Sequence, residues 1–256
     1  YYLAKKLGII SGDESRENLV SGFILKWVRD GIITIRENES GAIVKKKNYD
    51  MYLDVDAKFE NKQETALYKM FIHASKDGVL QTKAFQKWCS KHYKKIDDWF
   101  TKVDNVTEDS MNKNGYAKTK TIYKRLLFWN IPRDRTVWTD KAYDQCLYVW
   151  GFNNFLEDED NMKEKAAIEV KLWNEYLIFA AVLGVADRVE KQLKVAIPRY
   201  EETSTYNNFP IYYYTHTFAH NSMSAASSAA SAGQGGSSSF SGGGGGFSGG
   251  GGGGVR

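Results

Sequence analysis

The chain has 256 residues, 42% hydrophobic and 14% aromatic, enough for a sizeable core in one large domain or two to three small ones. Its 35 basic and 31 acidic residues leave a net charge of +4, too mild for the field of a dedicated nucleic-acid binder. Two cysteines, Cys89 and Cys146, exclude a disulfide framework and read as free thiols.

The chain opens at Tyr1 rather than Met and shows no signal peptide, which reads as processing or as a piece of something longer. A first unit spans 1–56. Leu19, Val20, Phe23, Ile24, Trp27 and Val28 recur at helical spacing, and Asp30-Gly31 ends that helix. ITIRE then reads as a strand, ENESG as a turn and AIVKKK as a returning strand. Helix followed by a two-stranded wing is the order of a winged helix.

A second unit, 57–138, repeats that order. Ala66, Leu67, Met70, Phe71 and Ala74 make one helical face. Val79-Leu80-Gln81 reads as a short strand, and Thr82 as the N-cap of TKAFQKWCSKHY. A third helix covers about Ile96–Asn112, and the segment from Tyr116 to Trp138 reads as a second wing. A helical domain follows over 139–200. Thr139 is its N-cap candidate, and Ala142, Tyr143, Cys146, Leu147 and Trp150 share one face. Asn161 opens a helical stretch to about Ala196, ended by Pro198, in which Gly184 signals close approach of a neighbouring helix. Its longest apolar run, Tyr176–Ala186, is too short for a bilayer, which needs about 20 residues. In the 201–232 segment, 201–215 read as irregular and Thr217–Ala232 as a weak Ala/Ser-rich helix. Residues 233–256 form a Gly-rich tail. Glycine has no side chain to bury and the most backbone freedom to lose, so the tail is expected to be disordered, a tether or a strand that orders only against a partner. The fold class is therefore mainly α with small β wings.

Candidate chemistry is sparse. Lys45, Lys46 and Lys47 at the first wing, and Lys83, Lys87 and Lys91 at i, i+4, i+8, are the possible anion contacts; a solvated helix face is the plainer reading of the second set. Asp97, Asp98, Asp104, Glu108 and Asp109 on the third helix would repel phosphate, which weakens a DNA-reading role. Cys89-x-x-His92 lacks a second pair at zinc spacing, and His216 and His220 lack the Glu of a zincin motif, so no metal and no cofactor is expected. Glu157, Asp158, Glu159 and Asp160 read as a solvated turn, with an acidic catalytic site as the alternative. No nucleophile signature occurs, and the chain is read as not an enzyme. Trp150, Phe152, Phe155, Trp173 and Tyr176 exceed what one core needs; those left exposed would mark a protein interface.

The motifs WGFNNFLED, LWNEYLIFAAVLGVADRVEKQL and PRY, followed by a glycine tail ending in Arg, resemble the C-terminal region of the YciQ-like predicted membrane proteins. This is a bacterial family built on a domain of unknown function, number 2207. The carrying positions are Trp150, Phe152, Phe155, Leu156, Glu157 and Asp158, then Leu172, Trp173, Tyr176, Leu177, Gly184, Ala186 and Asp187. FILKWVRDGIITI is similar to the family's first cytoplasmic helix and wing. The resemblance implies a cytoplasmic region joined to a membrane by an N-terminal transmembrane segment outside this sequence. It supplies no catalytic residues. Many members carry a hydrophobic hairpin before the helical block, which this chain lacks between Tyr116 and Thr139. The function expected is protein interaction or scaffolding, with a protein partner or self-association. A winged-helix nucleic-acid module and an enzyme with an acidic site are the alternatives.

Overall fold

The computed structural model describes residues 1–12, 14–40, 46–126, 129–158, 170–196 and 211–234. A short helix α1 (Tyr2–Lys6) precedes α2 (Glu14–Arg29), which ends where Gly31 turns the chain at φ +73. Strands β1 (Ile33–Ser40) and β2 (Lys46–Leu53) form an antiparallel hairpin. Helix α3 (Lys62–Ala74) starts at Asn61, whose side-chain oxygen accepts from the backbone N–H groups of Gln63 at 2.8 Å and Glu64 at 3.1 Å. Then come β3 (Val79–Gln81), α4 (Thr82–Lys91), α5 (Tyr93–Lys113) and a second hairpin, β4 (Ala117–Leu126) with β5 (Trp129–Trp138). Helices α6 (Asp140–Glu157), α7 (Val170–Leu183), α8 (Ala186–Ala196) and α9 (Ile211–Gln234) complete the described chain. The fold is mainly α, with one sheet of three strands and one of two.

The three-stranded sheet has the order β1-β2-β3, so it draws strands from both sides of residue 56. β3 joins the first hairpin, and β4–β5 stands as a separate ribbon.

One hydrophobic cluster runs from Ala4 to Ala226. At its centre Trp27 is fully buried, edge-on to Tyr68 at 4.9 Å and Phe71 at 5.2 Å. Its indole N–H donates to Glu64 at 2.9 Å, which satisfies a donor that water cannot reach. Phe85 and Phe218 stack at 5.2 Å and bring α9 onto α4.

Several sequence expectations change, among them the turn at ENESG, whose residues 37–40 belong to β1 and pair with β2, and the Thr82 N-cap, since Thr82 is the first residue of α4. The span 201–215 is not irregular throughout: α9 begins at Ile211, and Ile211, Tyr212 and Thr215 are buried. The Ala/Ser-rich stretch after it is a central helix, because small residues let it approach α2 and α4 closely. The helix expected to run unbroken to Ala196 divides at Gly184, whose φ of +80 suits glycine and ends α7. The close helix approach expected at Gly184 is present, since a Cβ there would sit 3.1 Å from Asn18 Nδ2 of α2, and a tighter one lies at Gly22, where a Cβ would sit 2.6 Å from Val182 Cγ2. Finally, Thr139 precedes α6 without capping it. Its hydroxyl donates back to the Gly115 carbonyl at 2.8 Å and ties α6 to the loop after α5. The tail beyond Gln234 and Asn161 lie outside the described residues.

Candidate functional site

Helix α6 is apolar on two sides. Ala142 and Leu156 face the core, while Tyr143, Leu147 and Trp150, spaced i, i+4, i+7, are 65%, 47% and 57% exposed. Helix α1 lies along α6, and β5 ends beside it at Trp138, whose ring is 6.3 Å from that of Tyr2. Together Leu3, Leu7, Trp138, Tyr143, Leu147 and Trp150 line an apolar groove of about 560 Å³. Cys146 lines it too, its thiol raised by partial burial, and Lys6 supplies a charge. Tyr2, which meets Trp138 but does not line the groove, is pushed up to about 12, first by burial and then by the nearby Glu108 carboxylate.

Of the aromatic residues singled out from the sequence, Trp150 is in this groove. Phe152, Phe155 and Tyr176 instead pack on one another at 5.7 to 6.2 Å and join α6 to α7. Trp173 is within α7, and its side chain lies outside those described. Sequence reading grouped Tyr143 and Leu147 with buried Ala142. The extra i, i+4, i+7 apolar stripe was the available signal for a second exposed face. Leu7 and Trp138 had none, because they reach the groove only through tertiary packing.

The basic sets are separate from the groove. Lys83, Lys87 and Lys91 are exposed on α4, opposite buried Phe85 and Cys89. Lys46 and Lys47 are in β2 with side chains outside those described, as is the whole of Lys45. The acids of α5 act mainly as internal grips. Asp97 pairs with Arg16 and Asp104 with Lys5, both at 2.6 Å, and Glu108 accepts from the Thr136 hydroxyl at 2.7 Å.

Cys89 is fully buried, and burial pushes its thiol up to about 12, so it holds almost no thiolate at neutral pH. His92 stacks on Trp88 at 4.4 Å and donates from Nδ1 to the Trp88 carbonyl at 2.9 Å. His220 donates from Nδ1 to Glu17 at 2.6 Å, and His216 Nε2 is 3.8 Å from the same carboxylate, so the pair clamps α9 to α2. Among the described residues no group of three or more His, Cys, Asp or Glu could hold a metal ion. Glu157 lines a polar cavity of about 290 Å³ with Asn153, Glu14 and Asp187, and pairs with Arg188 at 3.3 Å. Asp158 is exposed at the end of α6; Glu159 and Asp160 lie outside the described residues. No helix among the described residues is long and apolar enough to cross a membrane.

Compared with known proteins, residues 125–193 match the family model of a predicted membrane protein (DUF2207) C-terminal domain. The matched segment takes in β5, the groove helix α6, α7 and most of α8. No curated protein and no solved structure matches the chain.

Proposed function

From the match of residues 125–193 to the C-terminal domain of the DUF2207 predicted membrane proteins, we propose that this chain is a non-catalytic interaction region. It serves at the cytoplasmic face of a membrane to which segments outside this sequence attach it. It docks a partner protein by seating an apolar helix in the α6 groove. The observation that carries this reading is the stripe Tyr143, Leu147 and Trp150, exposed beside an apolar cavity of about 560 Å³. Large apolar side chains grouped around a concavity are costly to leave in water and are the usual anchors of interfaces. The i, i+4, i+7 spacing suits a helix laid in the groove.

A photo-crosslinker placed at Tyr148, 71% exposed on the same helix, tests this in membranes containing the full-length protein. One discrete protein adduct is expected. Trp150→Ala and Leu147→Glu should each weaken docking by more than about 30-fold and abolish the adduct, with thermal stability little changed because both side chains are largely exposed. An adduct that persists in both variants would refute the groove as the docking site.

A further inference from the structure

The β4–β5 ribbon touches the groove only at its root, through Trp138, and its two faces differ in charge. Residues opposite one another in an antiparallel pair share a face, and the face alternates along each strand. The register therefore gathers Lys118, Lys120 and Lys124 of β4 with Arg133 and Arg135 of β5 on one face. All five are exposed. This one face carries more positive charge than the +4 net charge of the whole chain.

Its other positions are all apolar. Ile122, Ile131 and Val137 lie between the cations, each exposed, and the face ends at the Leu126–Trp129 pair. It has no Asp, Glu, Asn, Gln, Ser or Thr. The opposite face carries the threonines and Asp134, which accepts from Thr121 at 2.7 Å. That face is turned inward at its root, where Ala117 is buried and Thr136 bonds Glu108 of α5. The basic face thus points away from the body of the protein.

We infer that this face binds peripherally to an anionic phospholipid surface. A row of cations about 20 Å long, at roughly 3.3 Å per residue, needs a polyanion. The alternation selects lipid among polyanions: β-branched aliphatic side chains enter the boundary between headgroups and acyl chains, while Lys and Arg stems reach up to the phosphates. A nucleic-acid reader would set hydrogen-bonding groups for base edges, or several stacking rings, between its cations. Here aliphatic Ile122, Ile131 and Val137 stand between the cations instead. The ribbon's contact with lipid would hold the α6 groove close to the bilayer.

The test is co-flotation of the whole chain with vesicles, either neutral phosphatidylcholine or phosphatidylcholine with about 30% phosphatidylglycerol, at roughly 0.1 M salt. Binding to the anionic vesicles alone is expected, weakening as salt rises. The triple variant Lys120→Gln, Arg133→Gln, Arg135→Gln should lower partitioning by about 100-fold, since each basic residue near such a surface contributes roughly fivefold. Lys83→Gln, Lys87→Gln, Lys91→Gln removes equal charge from α4 and should change it less than about threefold. Ile122→Ser with Ile131→Ser should weaken binding without altering its salt dependence. Each of these side chains is exposed, and unchanged thermal melts will show that the variants fold. Leu147→Glu should leave flotation intact, so this inference and the groove reading can fail separately. Equal binding to both vesicle types, equal binding by the triple variant, or tighter binding to duplex DNA or single-stranded RNA would each overturn it.

Discussion

Gly22 lies in α2 where α7 crosses it, and adding one methyl group there probes the contact that sets the distance between the two helices. A Cβ at position 22 would sit 2.6 Å from Val182 Cγ2 and 3.5 Å from the Ile178 carbonyl oxygen. Val182 would have to retreat by about 0.8 Å to regain the 3.4 Å of ordinary contact, and its neighbours Ala181 and Leu183 are buried. Forcing a methyl into such an interface costs about 1–3 kcal/mol. Replacing glycine by alanine within a helix returns about 1 kcal/mol. Gly22→Ala should therefore destabilise by about 0–2 kcal/mol. Val182→Ala removes the clashing atom but loses part of a half-buried side chain, about 1 kcal/mol. In the double variant the new methyl enters the vacated space, the helix gain remains, and the net change should be near zero. The coupling between the two sites should then reach about 1–3 kcal/mol in favour of the double variant. Urea unfolding of the four proteins, with unchanged denaturant slope, measures it. Additivity within about 0.5 kcal/mol would refute the idea that this contact limits the approach of α7 to α2.

Glu64 is buried, accepts from the Trp27 indole and pairs with Lys26. Glu64→Ala leaves a buried donor without an acceptor and should cost about 2–3 kcal/mol, whereas Glu64→Gln keeps an acceptor and should cost about 1 kcal/mol. Equal losses in chemical denaturation would show that the indole bond is not what matters. Alkaline pH should unfold the protein through its buried phenols. Burial first raises all four: Tyr2 and Tyr214 to about 12, and Tyr68 and Tyr212 in the same direction, with carboxylates adding to the rise. An unfolded tyrosine ionises near 10, so above about pH 10 the folded chain binds more protons than the unfolded one, and stability falls as pH rises toward the folded values. The urea midpoint should be insensitive to these groups below about pH 9 and drop beyond about pH 10, with phenolate absorbance lagging for these residues until unfolding. A midpoint that holds through about pH 11 would contradict their burial.

Much of the fold was legible in local pattern. The apolar spacing from Leu19 to Val28 identifies α2, whereas most of ENESG, read as a turn, continues strand β1. Lys83, Lys87 and Lys91 stand opposite Phe85 and Cys89 because a helical period leaves no other arrangement. The motifs from Trp150 to Asp187 carried the family resemblance. The groove was legible only in part. Trp150 was singled out, but Phe152, Phe155 and Tyr176, equally aromatic, are consumed by the α6–α7 joint.

The sequence by itself determined most of the helices and strands, because backbone preference and apolar period act within a few residues. It also determined the alternation of cations and aliphatic residues along β4 and β5. Tertiary structure alone decided which faces are covered. The acids of α5 became grips for Lys5, Arg16 and Thr136, and β3 took β2 as its neighbour. An Ala/Ser-rich helix entered the core, with Thr215 bonded to Ser21 across 194 positions at 3.1 Å. Burial is a competition among all the surfaces of the chain. Which apolar face is covered and which is left to solvent depends on partners hundreds of residues away, and no local window contains them.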